Sequence, residues 1–367
     1  MKKPLGLYIH IPFCARKCNY CDFLSGPADR ETQKKYVDML LQEIDTYSEL
    51  LKTRETATIF FGGGTPSILP GEEIARILNK LRAVGNISET AEISIEANPG
   101  TVTEEKLRLW KQAGINRISF GLQSADNKEL KCLGRIHTWE AFEENFHLAR
   151  GCGFKNINVD LMSALPGQTV DTWQKTMEKV TDLNPEHISA YSLIIEEGTP
   201  FCEAYADHPE LLPTEEEERE MYYKTKSFLS SKGYERYEIS NYAKPGYECR
   251  HNLSYWERTD YLGLGLGAAS LLGNVRKSNQ SELSEYLKGN FAGEEEILDE
   301  TAAMEEYFFL GLRKMQGVDW TLYQKQYEKT VEKLISEGLL EKSGNYIRLT
   351  QLGIDVSNYV LAEFLIE

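Results

Sequence analysis

The sequence has no apolar run long enough to cross a bilayer. Its longest uncharged stretches, Thr56 to Gly71 and Tyr261 to Val275, hold 16 and 15 residues with four glycines each, against the roughly 20 apolar residues of a spanning helix. No transmembrane segment is expected, and peripheral membrane contact stays open. Positive charge is also short. With 41 Lys and Arg against 57 Asp and Glu, the 367-residue chain carries a formal charge of −16, which excludes a generic phosphate-binding surface and argues for no nucleic-acid partner. A disulfide framework is missing too: three of the seven cysteines fall within eight residues, while Cys132, Cys152, Cys202 and Cys249 are scattered, a usage that fits a reducing compartment and a metal site. Met1 to Leu7 carries Lys2 and Lys3 but lacks the following apolar stretch and cleavage site of a secretory signal. The expected location is cytoplasmic.

What is present is a regular alternation. Leu5 to Ile11, Ala57 to Phe61, Ala91 to Ala97, Asn116 to Leu122, Lys155 to Leu161 and His187 to Ile195 read as strands. Helix-like stretches from Arg30 to Leu51, Glu72 to Val84, Glu104 to Ala113, Trp139 to Cys152 and Thr172 to Leu183 separate them. This rhythm predicts an α/β fold, a partial (β/α)6 barrel over residues 1–240. Read at period two, Tyr8 and His10, Ser94, Glu96 and Asn98, Ser119 and Gln123, and Asn158 and Asp160 form polar faces opposite apolar ones. These faces point to a ligand site at the C-terminal mouth of the strands. Residues 241–296 read as a connecting region. Residues 297–367 read as a smaller, mainly helical, winged-helix-like domain, with a possible hairpin around Ser343-Gly344-Asn345. From Ile297 onward 7 Lys or Arg face 12 Asp or Glu, a net −5 that argues against docking on DNA.

Pro12 to Cys21 places Cys14, Cys18 and Cys21 at C-x3-C-x2-C spacing, able to hold three irons of a cubane and leave the fourth open. The motif resembles that of the radical SAM superfamily, which implies a 4Fe-4S cluster whose open iron is chelated by S-adenosylmethionine (SAM). The alternative is a structural zinc on the three cysteines and His10. Gly62-Gly63-Gly64-Thr65 follows the second strand and lets the backbone approach a ligand closely. Glu96 and Asp160 are candidate acceptors for ribose hydroxyls or the SAM amino group, with Gln123 and Arg135 as further polar contacts.

Tyr8 to Phe23, the Gly-Gly-Gly-Thr-Pro turn, Glu96-Ala-Asn-Pro, Gly121-Leu-Gln, Leu133-Gly-Arg, Val159-Asp-Leu and Leu165-Pro-Gly-Gln-Thr together resemble the oxygen-independent coproporphyrinogen III oxidase family. That resemblance implies SAM contacts from Tyr8, Tyr20, Gly63, Gly64, Thr65, Glu96, Gln123, Arg135 and Asp160, some of them toward a second SAM. Two departures point away from the oxidase and toward its haem-chaperone paralogues. Phe23 stands where the oxidase has a further cysteine, and the first strand begins almost at once, without the oxidase's N-terminal extension. His251-Asn-Leu-Ser-Tyr255-Trp256 resembles the haem-binding motif of those paralogues, with His251 as iron ligand and Tyr255 and Trp256 covering the macrocycle. Three functions follow as alternatives: a haem chaperone passing haem to an acceptor protein, a radical-dependent oxidase, or a zinc-stabilised binding protein. No catalytic residue is assigned. A homodimer is allowed for.

Overall fold

The computed structural model describes residues 4–366. Lys2 and Lys3, part of the leader reading, lie outside the described residues. Six strands carry the first half of the chain: β1 (Leu5–Ile11), β2 (Glu55–Gly63), β3 (Asn86–Ala97), β4 (Arg117–Gln123), β5 (Ile157–Ser163) and β6 (His187–Ser192). Each pairs in parallel with the next in chain order, and the intervening helices supply the crossovers that parallel pairing requires. Helix starts are fixed locally. Asp29, Thr103, Thr138 and Thr169 each accept a hydrogen bond from the backbone N–H three residues on, which satisfies one otherwise unpaired donor of the first turn. The acidic run Glu215 to Glu218 opens the Glu215–Ser231 helix behind a Thr214 capping box, where negative charge suits the dipole.

Two strand bounds differ from the sequence reading by more than two residues. β3 begins at Asn86 because Asn86 and Ile87 pair with Glu55 and Thr56 of β2 ahead of a register shift, and the polar run Ser88 to Thr90 that follows them shows no apolar alternation. β6 ends at Ser192, short of Ile195.

Residues 235–297, which include the segment 241–296 read as a connection, add strands to the same sheet. β7 (Glu235–Arg236) and β8 (Asn241–Ala243) extend it beyond β6. At the other side β9 (Tyr261–Leu264) pairs in parallel with β1, and β10 (Ala269–Leu272), β11 (Val275–Asn279) and β12 (Ala292–Ile297) follow, all antiparallel. The result is one sheet of 12 strands in the order β12-β11-β10-β9-β1-β2-β3-β4-β5-β6-β8-β7. Its β12 edge carries Glu294, Glu295 and Glu296, all exposed, a charge row that discourages edge-to-edge pairing.

The sheet curves. Side chains from each of β1 to β6 line one cavity of about 200 Å³, whereas six strands laid flat would separate β1 from β6 by roughly 24 Å. Leu7, Ile9 and Ile11, on the opposite face of β1, are fully buried in the core shared with Tyr36, Val37, Leu40 and Ile44 of the Arg30–Thr46 helix.

A second core lies toward the C-terminus. The Glu300–Gly311 and Gln324–Ser336 helices pack with β13 (Val318–Asp319), β14 (Leu340–Ser343) and β15 (Tyr346–Leu349), paired in the order β13-β15-β14. Phe308, Tyr327, Val331, Leu334, Ile347 and Phe364 fill it, with Phe308 and Phe364 stacked at 4.6 Å. Among the described residues no helix is long and apolar enough to cross a membrane.

Glu43 ties the Arg30–Thr46 helix to the β9–β11 region. Its fully buried carboxylate accepts from Gly265 N (2.9 Å), Asn279 Nδ2 (2.6 Å) and the Tyr286 hydroxyl (2.5 Å). Burial lifts it from 4.5 to about 7, against the pull of those donors. A carboxyl with a raised folded-state pKa contributes most to stability below its unfolded value, and that contribution is lost as pH rises through the folded value. Glu43→Gln, whose amide presents two N–H donors where the protonated carboxyl presents one O–H, is expected to cost about 1–3 kcal/mol in acid. The wild-type advantage, measured by denaturant unfolding, should shrink as pH rises through about 7. A gap that widens over that range would refute this account.

Candidate functional site

β1 delivers the cysteine loop. The loop closes at its base, where Gly26 N donates to Pro12 O (3.0 Å) and Cys14 N to Gly26 O (3.1 Å), and Phe13, buried, meets Tyr36 edge-on at 5.2 Å. Its far side is pinned by Asn19, which donates from N to Leu133 O (3.0 Å) and from Nδ2 to Cys132 O (2.9 Å). Arg135 continues this wall. Its Nη1 lies 3.4 Å from Cys18 Sγ, and its Nη2 donates to Asn98 Oδ1 (2.7 Å) and to Gly121 O. Asn98 Nδ2 in turn donates to Thr65 Oγ1 (2.8 Å). One chain of contacts thus runs from the cysteine loop to the end of β2.

Cys14, Cys18 and Cys21 open on a single cavity of about 420 Å³. The thiols ring it rather than converge: among the described residues no three Cys, His, Asp or Glu side chains are placed to hold one metal ion. Burial pushes the Cys14 and Cys21 thiols up, so loading a cationic centre there releases protons. His10, the fourth ligand of the zinc alternative, is engaged on both ring nitrogens, by the Tyr8 hydroxyl (3.1 Å) and Leu24 O (3.0 Å).

Tyr20, Gly63, Gly64, Thr65, Glu96, Gln123, Arg135 and Asp160 line the same cavity as the cysteines. Tyr8 does not. It lines the 200 Å³ cavity behind, which shares Glu96, Asp160 and Tyr191 with the first. There Asp160 accepts from Ser119 Oγ (3.0 Å) and Asn158 Nδ2 (2.7 Å). Burial, then repulsion from Asp160, lifts Glu96 to about 8, and burial raises Asp160 as well. Gln123 closes β4 with φ +74°, a left-handed backbone that a non-glycine residue holds only under constraint. The sequence reading passed over Asn98 as a contact, although it shares the motif of Glu96. Tyr191 and Ile194 also line the mouth and carried no local signal.

Gly63 has φ +114°, and a Cβ there would stand 2.7 Å from the His10 ring. Gly63→Ala is expected to push His10 off Leu24 O and destabilise the loop by about 1–3 kcal/mol. The check is thermal unfolding, with an unchanged melting temperature as the refuting result.

The His251 motif forms the Arg250–Trp256 helix. Glu92 on β3 accepts from the N–H groups of Arg250 and His251, both at 3.1 Å, as a carboxylate at a helix start should. The His251 ring is buried, stacked on Phe60 at 5.1 Å and 19°, with Nδ1 2.8 Å from Thr58 Oγ1 and Nε2 2.9 Å from the Tyr255 hydroxyl. Burial, then the nearby Arg117 charge, lowers its pKa to about 3, so the ring is neutral at physiological pH. The three motif side chains do not share one cavity. His251 faces the 200 Å³ cavity, Trp256 a third of about 360 Å³, and Tyr255 belongs to the walls of both.

Comparison with known proteins then places the chain. The model of the radical SAM superfamily matches residues 8–180, and that of the HemN C-terminal domain matches residues 298–356. Heme chaperone HemW of Escherichia coli is 35% identical over 99% of this chain and 99% of that protein, and its Bacillus subtilis counterpart 36% over 98% of each. The chain belongs to the heme chaperone HemW family. Its radical SAM fold is that of the solved coproporphyrinogen III oxidase HemN of E. coli, with a TM-score of 0.84 and 26% identity over 99% of this chain and 90% of that one. Phe23, where the oxidase pattern has cysteine, is 62% exposed at the rim of the cysteine cavity.

Proposed function

We propose that the protein binds haem through His251 and passes it to an acceptor protein, while Cys14, Cys18 and Cys21 hold a 4Fe-4S cluster beside an exchangeable SAM. The observation that carries this reading is the state of His251. It is neutral, Thr58 orients its Nδ1, and only a phenol hydroxyl holds its Nε2. Metal-binding imidazoles generally keep the second nitrogen in such a hydrogen bond, and a hydroxyl is readily displaced.

The residues around the cysteines suit SAM. Three thiols on one loop leave one iron of a cubane without a protein ligand. Glu96 and Asp160, two carboxyls raised by burial, favour a cationic amino or sulfonium group, whose charge would draw both back toward ionisation. Gly63 and Gly64 admit the backbone close to a ligand. The cluster, when bound, supplies one-electron chemistry toward the sulfonium. Arg135, buried between Cys18 and Asn98, holds positive charge beside the thiolates. All seven cysteines are free, which suits a reducing, cytoplasmic setting.

The likeness to HemN over nearly the whole chain favours a second reading, a coproporphyrinogen III oxidase. Phe23 counts against it. An anaerobic haemin titration of cluster-reconstituted protein, with a parallel assay for protoporphyrinogen IX formed from coproporphyrinogen III, separates the two. Saturable haemin binding without product supports the chaperone. Product without haemin binding establishes the oxidase.

A further inference from the structure

The third cavity, of about 360 Å³, has no part in the cysteine site. Tyr255, Trp256, Tyr261 and Leu310 give it aromatic and aliphatic walls, and Arg258 and Arg276 are the charged residues on its lining. Arg258 directly follows the His251 helix and its C-cap, with φ +48°. A non-glycine residue kept in that region is held there by its surroundings. Arg276 comes from β11. Both guanidiniums converge on one carboxylate: Glu306 Oε2 lies 2.8 Å from Arg258 Nε, and Oε1 lies 2.5 Å from Arg276 Nη2. Glu306 is buried and comes from the Glu300–Gly311 helix of the second core.

Two cations on one anion leave an excess positive charge beside an apolar, aromatic space. The chain as a whole carries −16, so this excess is local. Guanidinium pairs are suited to planar carboxylates, and flat apolar bodies to aromatic walls. A ligand with a flat apolar ring system and two carboxylates meets both requirements.

We propose that this cavity receives the haem macrocycle, with Arg258 and Arg276 taking its two propionates and Glu306 holding the arginines when the cavity is empty. The proposal rests on the haem reading above and adds to it the site of the porphyrin edge. Tyr8 and Tyr255 form the wall that this cavity shares with that of His251. Movement of the Tyr255 hydroxyl away from Nε2 is what would open the imidazole to the iron.

The test compares haemin with haemin dimethyl ester, whose propionates carry no charge, on full-length, cluster-reconstituted protein. Wild type is expected to prefer haemin by about tenfold or more, as paired charges on carboxylates require. The Arg258→Gln, Arg276→Gln, Glu306→Gln triple variant leaves no unpaired charge in the network and should bind the two porphyrins alike. Glu306→Gln alone, which frees both arginines, should tighten haemin binding severalfold. Should the triple variant not fold, Arg276→Gln, whose side chain is 40% exposed and whose loss keeps the Arg258–Glu306 pair, should reduce the preference. Equal binding of the two porphyrins by wild type, or a preference unchanged in the variants, overturns the propionate assignment and leaves the haem reading standing. Binding of neither porphyrin by wild type overturns both.

Discussion

Cys18→Ala is expected to empty the protein of iron and acid-labile sulfide, from about four irons per chain to well under one. Three thiols on one loop are the minimum that holds a cubane with an open iron, and no other cysteine stands ready to replace one. Cys132 turns its Sγ toward the Tyr205 hydroxyl (3.7 Å), and Cys249 is fully buried beside Glu92 (3.6 Å), where burial pushes its thiol up to about 12. The fold should survive, because the loop is held by backbone bonds at Gly26 and by Asn19 rather than by Cys18. Metal and sulfide analysis beside circular dichroism decides the matter, with Cys152→Ala as a control that keeps its iron. Retention of full iron by Cys18→Ala would sink the cluster assignment. One zinc per wild-type chain without sulfide would install the zinc alternative.

His251→Ala should weaken haemin binding by on the order of 100-fold, since it removes the proposed iron ligand, the ring that Thr58 orients. The variant also loses the stack on Phe60 and leaves two hydroxyls without their partner, at a cost to stability of about 2–4 kcal/mol. A second readout therefore separates ligation from folding: His251→Met, which offers a thioether, should retain binding with a shifted Soret band. The pH profile gives a third. An imidazole near its usual value is increasingly protonated as pH falls through about 6.5, and a protonated ring cannot ligate. With the His251 pKa lowered to about 3, haemin affinity should stay level through the mildly acidic range. Wild-type affinity in His251→Ala would end the assignment of this residue.

Much of the site was legible in the sequence because its signals are short-range. The spacing of Cys14, Cys18 and Cys21 lies within one loop, and the loop follows directly on a strand whose alternation of Tyr8 and His10 with Leu7, Ile9 and Ile11 is plain. Glu96 and Asp160 were legible as polar members of strand faces, and the curved sheet brings those faces to adjoining cavities. Other features had no such signal. β9, β10 and β11 lie in glycine-rich or polar stretches, and β9 becomes a strand by pairing with β1, more than 250 residues earlier in the chain. The neutral state of His251 depends on burial and on Arg117, and the stacking on Phe60 comes from another strand.

The sequence by itself therefore determined the spacing of the three cysteines on one loop, the succession of the six parallel strands, the glycine turn and the family motifs, because each is a matter of spacing along a short stretch of chain. The tertiary structure decided which cavity each residue faces. It moved Tyr8 from the cysteine cavity to the one behind, parted His251 from Trp256 across the wall made by Tyr255, and joined Arg258, Arg276 and Glu306 from three separate elements. These outcomes depend on how a 12-stranded sheet curves and on how a second core packs against it, and both arise from contacts between residues far apart in the chain.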